Sequence, residues 1–399
     1  MVVPLLWGLL GALAVVLSRA TSTPIFAWVG YLMLALLIFG EAAARLGARG
    51  LVASRELSAD RVAFGGQVTV KVEVENRSRL PVLWVAAAES LAAGLPMRGV
   101  RGRLGPMGAR SKWTFSCLLQ ATRRGFYEIG PTVLRTGDLF GLGQRQLLAG
   151  ATSALTVFPK IVSIHHARLP SRRPAPEVRV RQRVLEDPTQ VVGVRPYQHG
   201  DGLRRVHWRA TAHTGRLQSK LFEVSAQVAA TIVLNLRRED YPGPPAEADE
   251  AAELGIMCAA SLATHLLDRR QPTGLLCLGR DPAGDPTEII RRPVGRGREQ
   301  LTALLSLLGR AELGPAKELG PVLRREQERF PWGSLVIVIT PGVSETVLPS
   351  LLRLRTAGLE VHVISLARAA GPAREAALEA IGIPATRIRA EEDIRGLGL

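Results

Sequence analysis

Cysteine is scarce in this chain of 399 residues. Cys117, Cys258 and Cys277 are odd in number, widely spaced and embedded in apolar strings, so they read as reduced core residues and exclude a disulfide framework or a zinc site built on cysteine. Phosphate-cradling loops are absent too: no GxxxxGK ending in Ser or Thr occurs, and no GxGxxG follows a strand and opens a helix. A GxSxG elbow and an HExxH pair are also missing, which leaves nucleotide hydrolysis and serine or zinc hydrolysis without visible machinery. Negative charge is in deficit, with 35 Asp+Glu against 51 Lys+Arg and a net charge of +16. That excess attracts polyanions such as nucleic acid, anionic lipid heads or an acidic partner surface.

Charge disappears altogether from two stretches near the N-terminus. Residues 2–18 and 25–40 are charge-free apolar runs separated by RATSTP, each near the lower limit for crossing hydrocarbon. They are expected to form two transmembrane helices within residues 1–45. A cleaved signal peptide is the alternative, but the first run lacks a basic leader and the second also needs burial. Arg19 is the only charge in the connecting turn, whereas Arg45, Arg49 and Arg55 follow the second run. The positive-inside rule then predicts a multi-pass protein of the inner membrane with its C-terminal domains in the cytoplasm.

The rest of the chain is too long for one hydrophobic core. Across residues 54–160 the pattern has period two: in QVTVKVEVEN, Val68, Val70, Val72 and Val74 face one way and Thr69, Lys71, Glu73 and Glu75 the other. Further short runs broken by turn residues predict a β-sandwich. Residues 161–222 form a basic connector, in which LPSRRPAPEVRVRQRV is rich in Pro and Arg and reads as an extended linker or a contact for anionic headgroups. From 223 to 399, strands such as VAATIVLNL, GLLCLG, SLVIVIT and LEVHVISL alternate with helical stretches. That order predicts a doubly wound α/β domain, because buried parallel strands need crossover helices on both faces.

In such sheets ligands lie beyond the carboxyl ends of the strands. There the layout resembles a von Willebrand factor A domain, whose metal site uses an Asp-x-Ser-x-Ser motif and a later Asp. Here Asn235 stands in place of the first aspartate, Arg237 and Glu239 replace the serines, and Pro341 replaces the later aspartate. An arginine among the ligand positions repels a divalent cation, so the domain is expected to hold no metal.

One dense polar cluster remains, in VRPYQHGDGLRRVHWRATAHTGRLQSK, residues 194–220. His199, Asp201, His207 and His213 match no compact metal motif. Asp201 and His207 could form an acid/base pair, but no Ser or Cys nucleophile stands at a recognisable position beside them. The structural reading is a turn at His-Gly, a helix over LRRVHWRATAH capped by Asp201 and ended by Gly215, and Trp208 packing beside its faces. No catalytic residue, metal or cofactor is named by the sequence.

The succession RPYQHGDGLRRVHWRATAHTGRL resembles the hallmark of the bacterial membrane proteins catalogued as domain of unknown function 58. The matching positions are Arg195, Tyr197, Gly200, Asp201, Arg204, Val206, His207 and Trp208. Upstream, Arg123, Arg124, Gly125 and Tyr127, then Asp138, Phe140, Gly141 and Leu142, resemble further elements of that family, with Leu139 where a proline is usual. The resemblance implies a non-enzymatic membrane-anchored scaffold or assembly protein. It also implies a protein partner, since members are commonly encoded beside MoxR-type AAA+ ATPases. A hydrolase centred on Asp201 and His207, or a basic surface at 168–183 for nucleic acid or anionic lipid, are the alternatives.

Overall fold

The computed structural model describes residues 2–90, 94–165, 191–198, 202, 205–222, 228–284, 289–344, 346–366 and 378–397. The chain divides into two units, residues 1–161 with 280–288 and 302–312, and residues 162–279 with 289–301 and 313–399.

The first unit opens with two apolar helices, α1 (Val2–Thr21) and α2 (Pro24–Arg49). Pro24 occupies the first turn of α2, where its missing N–H costs nothing. The helices pack as a hairpin so closely that a Cβ on Gly30 would lie 2.6 Å from Val15 Cγ2 and 2.7 Å from the carbonyl oxygen of Gly11. Most of their large side chains, Leu9, Leu13, Trp28 and Leu32 among them, face outward. Both helices are long and apolar enough to cross a membrane.

A β-rich region follows: β1 (Leu51–Leu57), β2 (Arg61–Val62), β3 (Gln67–Asn76), β4 (Val82–Glu89), β5 (Met97–Gly99), β6 (Gly102–Met107), β7 (Lys112–Gln120), β8 (Gly125–Ile129), β9 (Thr132–Gly137), β10 (Gln144–Ala149) and β11 (Ser153–Val157). They form sheets of order β1-β3-β7-β5, β10-β9-β4-β6 and β2-β11-β8. The alternation in β3 buries Val68, Val70, Val72 and Val74 against Phe115, Cys117 and Leu119 of β7 and Leu134 of β9. Each of those valines contributes about 1.5–3 kcal/mol by leaving water. The last turns of α2 pack on β9 and β10, where Glu41 pairs with Arg45 at 2.8 Å and with Arg145. One ion pair is wholly buried in this region: Arg55 meets Glu89, Arg55 Nη1 donates to the carbonyls of Ile129 and Ala151 at 2.9 and 2.7 Å, and Thr132 donates to Glu89 at 2.8 Å.

The second unit contains β12 (Val191–Pro196), α3 (Trp208–Thr214) and β13 (Gln218–Phe222), then β14 (Ala230–Asn235), α4 (Pro245–Asp268), β15 (Thr273–Leu278) and β16 (Ile290–Gly295). After these come α5 (Gly297–Arg310), whose last turns cluster with the first unit, α6 (Leu319–Glu326), β17 (Leu335–Thr340), α7 (Leu348–Thr356), β18 (Glu360–Leu366), β19 (Ala385–Ile388) and α8 (Glu391–Arg395). The sheet order is β16-β15-β14-β17-β18-β19. Every pairing in it is parallel except β15 with β16. Strands β14, β15 and β17 are buried at every residue, as strands covered on both faces must be. One face packs on α6 and α7 through Val233, Val336 and Val338. On the other, Gly255 of α4 meets Leu234, Ile339 and Leu366.

Two sequence expectations change here. Residues 161–222 are not connector throughout, because β12 and β13 pair antiparallel within them; the segment 169–184 lies outside the described residues. The helix expected over LRRVHWRATAH begins later, at Trp208, and His207 caps it through Nδ1, which accepts from the N–H of Ala210 at 3.1 Å. Val206 and His207 are instead held to β13, by a bridge to Ser219 and a 2.8 Å bond to Gln218; Asp201, the cap expected from the sequence, lies outside the described residues. Gly215 does end it, in the left-handed region at φ 66°. The three cysteines are free and buried, and burial pushes the thiols of Cys117 and Cys258 up.

Candidate functional site: a filled crevice and an exposed motif

At the carboxyl end of β14 the chain turns through Asn235, Leu236, Arg237 and the short helical turn 238–240. Asn235 ties this loop to its neighbours. Its Nδ2 donates to Asp240 at 2.8 Å and to Thr340 Oγ1, at the end of β17, at 3.3 Å, and its Oδ1 accepts from the N–H of Arg237 at 3.1 Å. The Tyr241 hydroxyl donates to the Asn235 carbonyl at 2.7 Å, and its burial raises that phenol far above its usual range.

Arg237 stands at the centre of the network. Its guanidinium donates to Asp240 Oδ1 at 2.9 Å and to the Ala316 carbonyl at 3.2 Å, and pairs with Glu239 at 3.2 Å. The crevice thus contains a cation that belongs to the chain. Its oxygen groups are satisfied by a guanidinium and an amide, a set that offers a divalent ion no free carboxylate. Among the described residues no group of three or more His, Cys, Asp and Glu could hold a metal ion.

The motif segment lies on β12, α3 and β13. Arg195 lies near the end of β12, opposite Ser219, with Nη1 3.3 Å from the Pro196 carbonyl, and the N–H of Tyr197 continues the ladder to Leu217 at 2.9 Å. Thr211 accepts from the N–H of Gln218 at 3.0 Å, which ties α3 to β13, and Val206 is buried. Trp208 does not pack into this framework: it is 65% exposed, and Val194 and Leu217 of the same segment are exposed too. No residue of α3 is buried. Gly200, Asp201 and Arg204 lie outside the described residues, as does the basic segment 168–183, so the geometry of an Asp201–His207 pair is not part of the structure described.

The upstream motif residues hold the first unit together. Arg124 Nη1 donates to the carbonyls of Leu308, Gly309 and Ala311, at 3.2, 3.3 and 2.7 Å, which places a cation at the negative end of α5. Tyr127 is buried and its hydroxyl donates to the Arg123 carbonyl at 2.9 Å. Asp138 is buried and accepts from the N–H groups of Phe140 and Gly143 at 2.9 and 2.7 Å.

A cavity of about 330 Å³ was not anticipated. Its floor includes Leu276 and Phe330, and its rim holds Arg291 and Arg329, both paired with buried Glu326 at 2.6 and 3.2 Å. Arg291 and Arg292 sit on the antiparallel edge strand β16, whose sequence IRRPVG is too polar to be read as a strand of a buried sheet.

Residues 193–367 match the family model described as Protein of unknown function DUF58. Over those residues the chain is similar to that family. The matched segment holds the exposed motif at its start and the filled crevice within it. A curated relative, the uncharacterized protein YeaD of Bacillus subtilis (strain 168), is 22% identical over 256 residues, which take in 63% of this chain and 62% of the relative. The chain therefore spans about three fifths of that relative's length. Among solved structures, a von Willebrand factor type A protein from Catenulispora acidiphila is 12% identical, with TM-score 0.31, over 45% of this chain and 42% of that one. The CARDB domain of PF1109 from Pyrococcus furiosus is 15% identical, with TM-score 0.21, over 27% of this chain and 94% of that one. At these identities and scores neither likeness says anything about ligand or activity.

Proposed function

We propose that the chain is a membrane-anchored, non-enzymatic scaffold or assembly protein that acts through protein–protein contacts. In this reading α1 and α2 cross the inner membrane, residues 54–160 are a cytoplasmic β-sandwich, and the C-terminal domain is a von Willebrand-like module that works without a metal. The observation that supports it is Arg237, held by Asp240, Glu239 and Ala316 in the crevice where such a module would bind its ion. With that crevice satisfied internally, recognition falls to exposed protein surface. The motif offers such a surface in Trp208, Val194 and Leu217, an exposed aromatic and aliphatic group of the kind that anchors interfaces. A MoxR-type AAA+ ATPase is the proposed partner, on the strength of the family resemblance.

The test uses the full-length chain in lipid nanodiscs and the purified MoxR-type ATPase encoded by the same organism. Retention of the ATPase, and its loss on Trp208→Ser with an unchanged melting curve, is the expected result. A folded chain that retains no ATPase with or without nucleotide would overturn the partner. Binding indifferent to Trp208→Ser and Leu217→Ser would move the contact away from the motif.

A further inference from the structure

The loop 138–143, between β9 and β10, lies against α2 where its apolar run ends. Gly40 is the contact point: a Cβ there would lie 3.1 Å from Asp138 Cγ, and one on Gly143 would lie 2.5 Å from the Gly40 carbonyl oxygen. The loop is rigidly held. Asp138 accepts from the N–H groups of Phe140 and Gly143, its carbonyl accepts from Trp84 Nε1 at 2.9 Å, and Leu142 is buried. The two residues between these anchors point away from the protein: Leu139 is 72% exposed and Phe140 62%. Just before Gly40 on α2, Ile38 and Phe39 are 70% and 66% exposed. Just after it come Glu41 and its partners Arg45 and Arg145. Apolar surface and charged collar thus meet at one level.

We infer that Leu139 and Phe140 form a membrane wedge, seated at the headgroup and acyl-chain boundary beside the point where α2 leaves the bilayer. The inference rests on the reading of α1 and α2 as membrane spans. Three physical arguments carry it. The pair extends the exposed apolar surface of α2 at Ile38 and Phe39, and a contiguous apolar patch at the end of a membrane span is the kind of surface that meets lipid. The apolar run 25–40 is about 24 Å long at the rise of an α-helix, short of the roughly 30 Å hydrocarbon thickness, so extra apolar surface at its end reduces the mismatch. Trp84, whose indole N–H bonds the Asp138 carbonyl under the loop, is of the amphipathic aromatic type enriched at that level. The consequence is geometric: with α2 packed on β9 and β10 and the loop seated in the interface, the β-rich region is held by two points and cannot swivel about the helix.

The test exploits the burial of all three native cysteines, which lets a maleimide fluorophore report from one introduced exposed thiol. Full-length Phe140→Cys and Ile38→Cys are labelled with nitrobenzoxadiazole and reconstituted in phosphatidylcholine and phosphatidylglycerol vesicles, with and without lipids spin-labelled near the headgroup end of the acyl chain. Circular dichroism checks that each variant is folded. Both labels are expected to be quenched by the spin-labelled lipid and shielded from aqueous iodide. Quenching at Ile38→Cys with none at Phe140→Cys overturns the wedge and leaves the anchor standing. Quenching at neither site overturns the anchor and the wedge together.

Discussion

Arg237 donates through Nη1 to Asp240 Oδ1 at 2.9 Å, so the loop beyond β14 carries its own cation. Arg237→Ala removes that charge from beside Asp240 and Glu239 and leaves the Ala316 carbonyl without a donor. A loss of about 1–3 kcal/mol is expected, the usual range for hydrogen bonds to a charged group and for the acceptor left unpaired. Urea unfolding in detergent measures it. Full recovery of the variant by millimolar magnesium would show that the crevice takes a metal once the arginine is gone.

Buried Arg55 and Glu89 make an ion pair within the β-rich region, with Thr132 bonded to the carboxylate. Glu89→Ala strands the guanidinium in the core and is expected to cost about 3–5 kcal/mol, whereas Arg55→Met combined with Glu89→Leu costs much less because no charge is left behind. A double-mutant cycle on the first unit's melting transition reads the difference. Equal losses for the single and double variants would contradict it.

His362 of β18 is buried with Nε2 2.9 Å from Thr386 Oγ1, and burial lowers its pKa from the ordinary 6.5 to about 4. Below pH 6.5 the unfolded chain takes up this proton and the folded chain does not, so the stability it contributes is complete above pH 6.5 and is lost as pH falls towards about 4. The slope attributable to the residue reaches about 1.4 kcal/mol per pH unit in that window. His362→Asn should flatten that part of the stability profile. An unaltered profile between pH 6.5 and 4 would show that His362 is not its source.

His207 caps α3 by accepting from the Ala210 N–H. His207→Ala is expected to weaken the helix by about 0.5–2 kcal/mol, and His207→Asn to retain most of the cap. Amide exchange over residues 208–214 reports it directly. If the partner-binding assay falls with His207→Ala and recovers with His207→Asn, the histidine acts by holding Trp208 in place; a general base would not be replaced by an amide.

What could be read in the sequence was whatever repeats over short distances. The period of two in QVTVKVEVEN places four valines in the core because alternate side chains of a strand leave on opposite faces, and the continuous apolar runs of β14, β15 and β17 are buried on both sides. Local turn chemistry was legible at Gly215, which only a left-handed cap explains. The start of α3 was not. Asp201 is the better cap by residue type, yet β13 takes Val206 and His207 into its ladder, and pairing with a strand twelve or so residues away overrides a local preference. Strand β16 was missed for a related reason. Its arginines belong to an antiparallel edge, where one face stays wet, so it shows neither the apolar run nor the alternation that marks a strand.

The sequence by itself determined the two apolar helices, the succession of a β-rich region and an α/β region, and the core position of the cysteines. Composition and periodicity decide these, since they depend on the hydration of single side chains and on the repeat of the backbone. Only the tertiary structure decided that Arg237 is held by Asp240, Glu239 and Ala316 beyond β14, that Arg55 and Glu89 meet inside the core, and that Leu139 and Phe140 stand beside the end of α2. Each joins groups brought together by packing alone: Gly40 and Asp138 touch because a helix and a sheet close on one another, and no local pattern records a contact whose partners are set by the fold.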